Sequence, residues 1–334
     1  MSGLSNQLAE ARARQALRAA GLAFDGPLER ASSTNNEIHL SDHHVIRVSP
    51  TVNHRLQREA QLYRHLPTAP WSPVLIASGS FSGTDYLVVE RKPGRPLAHV
   101  WAFLPAGDRR RAVADLAACL RAIHATPAPG DDVAPLGDTI HLLDPGPGSV
   151  VGPLLEGIDR LAADPNADSG VMAAARDYVA ANAHRLDEFD ERFLVHGDLT
   201  FENILHAEGH VSAVVDFEWC RGAPPDLDLD VLLRCCAMPQ AHVAAEFESL
   251  NQPERFVDVP AWLAEDYPEL FDCAGLKERL TIYSLAFDVR DAVTRSVPQH
   301  RADVDDLHPY NRLISTVSTG GHVSLLLDRA GLVV

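Results

Sequence analysis

Apolar residues recur along this chain with two different periods, and the change between them divides it. Residues 5 to 20 carry a helical pattern, with Ser5 placed as an N-cap and Gly21 as a stop. Two short apolar-rich runs follow, "EIHL" and "HHVIRV", separated by "SD", which predicts a hairpin. Within residues 53 to 66, Leu56, Ala60, Tyr63 and Leu66 stand at helical spacing. "PVLIAS" and "DYLVVE" then read as strands flanking the turn-rich "GSFSGT". Residues 1 to 92 thus predict several strands and one prominent internal helix.

At Pro93, Gly94 and Pro96 the pattern changes. Helices are predicted over 109 to 125, 153 to 163, 171 to 186, 228 to 237, 275 to 296 and 310 to 328, with a long Pro- and Gly-rich connection at 126 to 152. One stretch breaks the helical run. In 193 to 217, "FLVHGDL", "ENILHAEG" and "HVSAVVDF" are short and strand-like, a β island among helices.

The chain has 334 residues, enough for about two domains or lobes. With 46% hydrophobic and 22% charged residues, global disorder is excluded. The net charge of −17 is unevenly placed: residues 1 to 185 hold 19 acids and 18 bases, whereas 186 to 334 hold 27 acids and 11 bases. Nucleic acid and anionic membranes are therefore poor partners for the second part, and a cationic small molecule would be drawn to it. The five cysteines form no metal-like CxxC pair, which points to reduced thiols in a cytoplasm. The charged N-terminus lacks an apolar signal region, and no stretch approaches the roughly 18 apolar residues of a membrane span.

The β island carries the chemistry. His196, Gly197, Asp198, Leu199 and Asn203 form H-G-D-L-x-x-x-N, and a second apolar run ends in "VVDFEW" with Asp216. Phosphoryl transfer needs a carboxylate to orient an attacking hydroxyl and accept its proton, which suits Asp198. It also needs a neutral oxygen donor and another carboxylate to hold Mg2+, which suits Asn203 and Asp216. A hairpin turning at Glu208 and Gly209 would return Asp216 toward Asn203, so the island fixes two loops on a rigid element.

The pattern resembles the aminoglycoside phosphotransferase and choline-kinase-like family, small-molecule kinases of the protein-kinase-like fold, over residues 30 to 235. The resemblance implies an α+β, two-lobed architecture: a small antiparallel-sheet lobe at 1 to 92 and a large, mainly helical lobe at 93 to 334. It implies ATP or GTP as co-substrate with Mg2+, Asp198 as base, Asn203 and Asp216 as metal ligands, and His196 and Asp228 as structural support. "SSTNNEIHL" is similar to the family's phosphate-covering hairpin, which assigns Ser32, Ser33, Thr34 and Asn36 to the phosphates. Arg47 stands where the family usually carries Lys, and Glu59 matches the helix glutamate that pairs with that cation. The hinge strand would hold adenine on the backbone of Val89, Glu90 and Arg91.

For the acceptor, the acidic second part favours a polycation of the aminoglycoside type, with Glu218, Asp226 and Asp230 as candidate contacts. The resemblance also admits macrolides, amino alcohols, sugars and homoserine as acceptors. Two other classes compete: a catalytically silent nucleotide binder, and a two-metal hydrolase using His196, Asp198 and Asp216, against which the missing cluster of further ligands counts. Asp42, His43 and His44 suit a solvated turn before a strand better than a zinc site. Trp262, Tyr267, Phe271, Tyr283 and Phe287 suit helix core better than an acceptor pocket.

Overall fold

The computed structural model describes residues 2–22, 24–31, 36–49, 54–133, 142–143, 149–187 and 189–332. Its first part is one antiparallel sheet in the order β1-β2-β3-β5-β4. The strands are β1 (Glu29–Ala31), β2 (Glu37–Leu40), β3 (His44–Ser49), β4 (Leu75–Phe81) and β5 (Thr84–Glu90). Alternation along β3 and β5 gives the sheet two working faces. Ile46, Val48, Tyr86 and Val88 bury Ala13, Ala16 and Leu17 of α1 (Ser2–Ala19). Leu87 and Val89 instead join Leu56, Ala60 and Leu62 of α2 (Arg55–Tyr63). Arg47 is one residue out of step with Ile46 and Val48, so it points to the α2 side, where Glu59 waits.

After β5 the chain crosses to β6 (Arg95–Pro96) and becomes helical. The helices are α3 (Leu97–Val100), α4 (Ala106–His124), α5 (Gly152–Ala162), α6 (Ser169–Asn182), α7 (Asp226–Ala237), α8 (Val259–Asp266), α9 (Leu276–Arg295), α10 (Pro309–Thr319) and α11 (Gly321–Arg329). Between α6 and α7 lies the β island: β7 (Leu194–Val195), β8 (Ile204–Ala207), β9 (His210–Val214) and β10 (Arg221–Gly222). β6, β8 and β9 form one small sheet, and β7 pairs with β10. This is the two-lobed, protein-kinase-like α+β architecture.

Several local expectations change. Ser5 lies inside α1 rather than capping it, because the helix already begins at Ser2. The run "GSFSGT" belongs mostly to strands, which leaves a two-residue turn at Ser82 and Gly83, both at positive φ. The helix predicted at 310 to 328 is two helices, broken where Gly320 takes a φ of 76°. Helices α3 and α8 and the short 3-10 turns between 239 and 255 carried no periodic signal. Trp101, fully buried, organises that last stretch: it stacks on Phe256 at 5.3 Å, meets Phe201 edge-on at 5.2 Å, and donates from Nε1 to Arg255 O at 2.9 Å. Phe201 belongs to the segment between Asp198 and Asn203, so this aromatic cluster also supports the site.

Candidate active site

The β8-β9 hairpin sets the geometry. Its turn is Glu208-Gly209, both at positive φ, and Ile204 pairs with Val214. Val215 N donates to Asn203 O at 2.9 Å, which brings the next residue, Asp216, beside Asn203. Asp216 takes a left-handed conformation (φ 65°, ψ 63°), a strained state for a residue with a Cβ and one concentrated at functional sites.

The 196–203 loop is held from beneath by Asp228 of α7. Its carboxylate accepts from His196 N at 2.7 Å, Gly197 N at 2.8 Å and His124 Nε2 at 3.0 Å. Burial alone would raise the Asp228 carboxyl; the His124 hydrogen bond, neighbouring imidazoles and backbone N–H groups hold it below the usual range. His196 is fully buried, donates from Nε2 to Val215 O at 2.9 Å and accepts from Asp198 N at 3.3 Å, a pairing that assigns the proton to Nε2. Gly197 has φ +81°, and a Cβ there would lie 2.4 Å from Trp219 O, so both backbone and space require glycine.

Asp198 is half-buried, and Asn203 Nδ2 donates to its carbonyl at 2.8 Å and more weakly to Oδ2 at 3.4 Å. Burial, followed by the charge of Asp216, pushes the Asp198 carboxyl up to about 6; His196 and Asn203 oppose the shift. Asn203 thus spends its amide nitrogen on the loop, and its Oδ1 has no hydrogen-bond donor among the described residues.

Facing this loop, Arg47 Nη1 donates to both Glu59 oxygens at 2.7 Å. Its Nη2 lies 3.0 Å from Asp216 Oδ1 and 3.3 Å from Glu218 Oε2. Burial opposes the Arg47 charge, but Asp216, Glu59 and Glu218 outweigh it and hold the guanidinium protonated. Burial pushes the Glu59 carboxyl up while Arg47 pulls it back. Helix α2 is pinned to the segment after Asp216: Arg58 donates to Glu218 O at 3.2 Å and Cys220 O at 2.6 Å, and Tyr63 packs edge-on against Phe217. Phe217 in turn touches the His196 ring, at 4.8 Å between centroids.

Several of the residues assigned from sequence have close partners of their own. Glu218 is 5% exposed and held by Arg47 and Arg55, which makes it part of this charge cluster. Asp226 is buried against Arg279, at 2.6 and 2.9 Å, and Asp230 accepts from Ser284 Oγ at 2.6 Å. Both face α9, the side of α7 away from Asp228 and the loop. On the hinge strand, Glu90 N donates to Val74 O and Arg91 N to His43 O, while Val89 sits in register between Val45 and Leu75. Lys92 N is the first donor there without a backbone acceptor among the described residues, one position beyond the predicted set. Asn36 Nδ2 reaches Glu218 Oε2 at 3.5 Å; Ser32, Ser33 and Thr34 lie outside the described residues. Tyr283 is fully buried, Tyr267 is buried beside His124, and Phe287 lies under Arg234, as helix core requires.

Sequence reading missed Arg55 and Arg58, although their place within one turn of Glu59 on a helix was a usable signal. It also missed the His99–Glu202 contact at 2.9 Å, where His99 stacks on Phe247 at 3.6 Å. Among the described residues no cluster of three or more His, Cys, Asp or Glu side chains can hold a metal by itself. One carboxylate beside one amide oxygen fits instead an ion that arrives with phosphate ligands, and Asp216 Oδ1 is left without an aligned hydrogen bond.

The fold and this loop pair define a kinase-like phosphotransferase. A model of the phosphotransferase enzyme family matches residues 29–265, so the chain belongs to that family. The structure is similar to a thermostable mutant of aminoglycoside phosphotransferase APH(4)-Ia solved with ADP and hygromycin B: TM-score 0.57, 16% identity, 91% of this chain and 97% of that one covered. It is similar also to APH(2'')-Ib bound to ADP (TM-score 0.55, 15% identity, 90% and 94% covered). The ternary complex of streptomycin, ATP and APH(2'')-IIa gives TM-score 0.56 at 15% identity, with 90% and 93% covered. At such identities the likeness carries the fold alone. No curated protein matches the chain.

Proposed function

We propose that this phosphotransferase moves the γ-phosphate of ATP or GTP, with Mg2+, to a hydroxyl of a small cationic molecule of the aminoglycoside class. The observation that carries the reading is the placement of Asn203 beside Asp216, next to the loop that presents Asp198. In this reading Asp198 orients the acceptor hydroxyl and takes its proton as the acceptor oxygen bonds to phosphorus and the bond to the nucleoside diphosphate breaks. Asn203 Oδ1 and the Asp216 carboxylate would hold Mg2+, whose chemistry when bound is to neutralise phosphate charge. Arg47, fixed by Glu59, reaches the phosphates, and residues 32–36 cover them. The purine lies along Val89 to Lys92, with Lys92 N as its donor, and the boundary between lobes falls at residues 92 and 93.

The acidic second part supports a cationic acceptor, as do the antibiotics named in the similar structures. It is not a partner for nucleic acid or anionic membranes. Cytoplasmic placement is supported by five free cysteines and by the lack, among the described residues, of a helix long and apolar enough to cross a membrane.

The test is a panel of hydroxyl compounds with ATP or GTP and Mg2+, scored by nucleoside diphosphate release and mass gain of the acceptor. Asp198→Asn is expected to lower turnover roughly 10²–10⁴-fold while nucleotide still binds. Normal turnover in that variant would sink the assignment. Reaction with neutral macrolides or sugars alone would overturn the cationic acceptor and leave the kinase standing. ATP binding with no transfer to any acceptor would favour a silent nucleotide binder.

A further inference from the structure

Glu218 has no part in the reaction just proposed, yet three segments of the small lobe converge on it. Its Oε2 accepts from Arg47 Nη2 of β3 at 3.3 Å and from Asn36 Nδ2, just before β2, at 3.5 Å. Its Oε1 accepts from Arg55 Nη1 at the start of α2, at 2.9 Å. Arg55 is held from a second side, its guanidinium 4.9 Å from the Trp219 ring centroid. A carboxylate this buried is tolerated only when cations face it closely, and here they do so from two directions.

The arginine in the clamp gives this arrangement a purpose. Nη1 of Arg47 is committed to Glu59, while Nη2 stands between Asp216 and Glu218, at 3.0 and 3.3 Å. The two acids are not equivalent neighbours. Asp216 Oδ1 makes no aligned hydrogen bond, whereas Glu218 is locked by Arg55. When Asp216 binds a divalent cation, its charge is no longer available to Arg47. Glu218 then remains as the protein's own anion on the Nη2 side, holding the guanidinium toward the phosphates; without it, Arg47 competes more strongly with the cation for Asp216.

We propose that Glu218 is a positioning residue that keeps Arg47 in place when Asp216 engages a divalent cation, with Arg55 anchoring Glu218 in turn. The inference rests on the kinase reading above. It also assigns the need for Glu218 to arginine in particular. A lysine at this position is a point charge on a flexible stem and does not fork between Glu59 and Glu218.

The readout is ADP affinity measured by titration calorimetry on the full chain, with Mg2+ and with the metal chelated. In the Arg47 protein, Glu218→Gln is expected to shrink the gain in ADP affinity given by Mg2+ about tenfold, the size of a typical coupling between contacting charges. Metal-free ADP should bind at least as well as before, because one carboxylate near the phosphates has lost its charge. In an Arg47→Lys background, the same substitution should change the Mg2+ gain by less than about twofold. Equal losses in both backgrounds would mean that Glu218 only braces the fold, and an undiminished Mg2+ gain in Glu218→Gln would remove it from the cation's reach; either overturns the proposal. If melting shows that Glu218→Gln is unfolded, Arg55→Gln releases Glu218 from its other side and must shift the Mg2+ gain the same way. A wild-type protein that binds no ADP at all would bring down the kinase reading and this inference together.

Discussion

Asp198 ionises at a higher pH than an ordinary aspartate because it is enclosed and faces Asp216. A base must be deprotonated to work, so with its carboxyl pushed up to about 6 the working fraction falls as pH drops through that value. The kcat/KM of the phosphoryl transfer should therefore fall about tenfold per pH unit below that point, with one proton taken up. A flat profile from pH 7 to about 5 would take the role from Asp198. For stability the sign is opposite: the folded chain binds this proton at higher pH than the unfolded chain, so the group's cost to folding is present above pH 6 and relieved on acidification. The polar residues of the loop pair were legible because their spacing in sequence is the spacing of the chemistry. The surroundings of Glu218, Asp226 and Asp230 were not legible, for the opposite reason. Their partners come from far along the chain, Arg47 at 171 positions from Glu218 and Arg279 at 53 from Asp226, and no local pattern signals such pairs.

At the scale of elements, α7 anchors the site through one side chain. Asp228 satisfies two loop N–H groups and one imidazole, all buried. Asp228→Asn presents an amide donor to groups that donate, and a loss of roughly 3 kcal/mol is expected from breaking a buried charged network. Denaturant titration and melting would measure it, and a change within 0.5 kcal/mol would show that the loop does not depend on α7. Because the folded Asp228 is held below its ordinary value, this contribution is complete above the unfolded pKa and disappears as pH falls through the lower folded one. Strands and long helices were readable from period, since one buried face imposes it. Helix α3 has four residues and α8 eight, and the stretch from 239 to 255 is a series of 3-10 turns. Pieces so short are stable through tertiary contacts such as those of Trp101, which leave no period behind.

Over the whole molecule, the charge surplus lies in the later half of the helical part, with 27 acids against 11 bases after residue 185. The Asp226–Arg279 and Asp288–Arg234 pairs each join an acid to a base of this same part, so they leave its surplus of acids over bases unchanged. That surplus should draw cationic acceptors and be screened by salt. The KM of a cationic acceptor is therefore expected to rise several-fold between about 50 and 500 mM salt, and that of a neutral one to stay level. Steady-state kinetics at the two ionic strengths would decide it, and equal behaviour of both acceptors would deny the surplus a part in recruitment.

The crossing between the two sheets has a mechanical side. Arg91 is tied to the β2-β3 turn through its N–H on His43 O and its Nη1 on Ser41 O. Two residues later, Pro93 O accepts from Ser212 Oγ of β9 at 2.5 Å. The covalent link is thus held on both sides of Lys92, whose own N–H has no backbone acceptor among the described residues. Under the proposed function, a purine taking that N–H would rest on backbone tied to both sheets, a fixed rail rather than a loose strap.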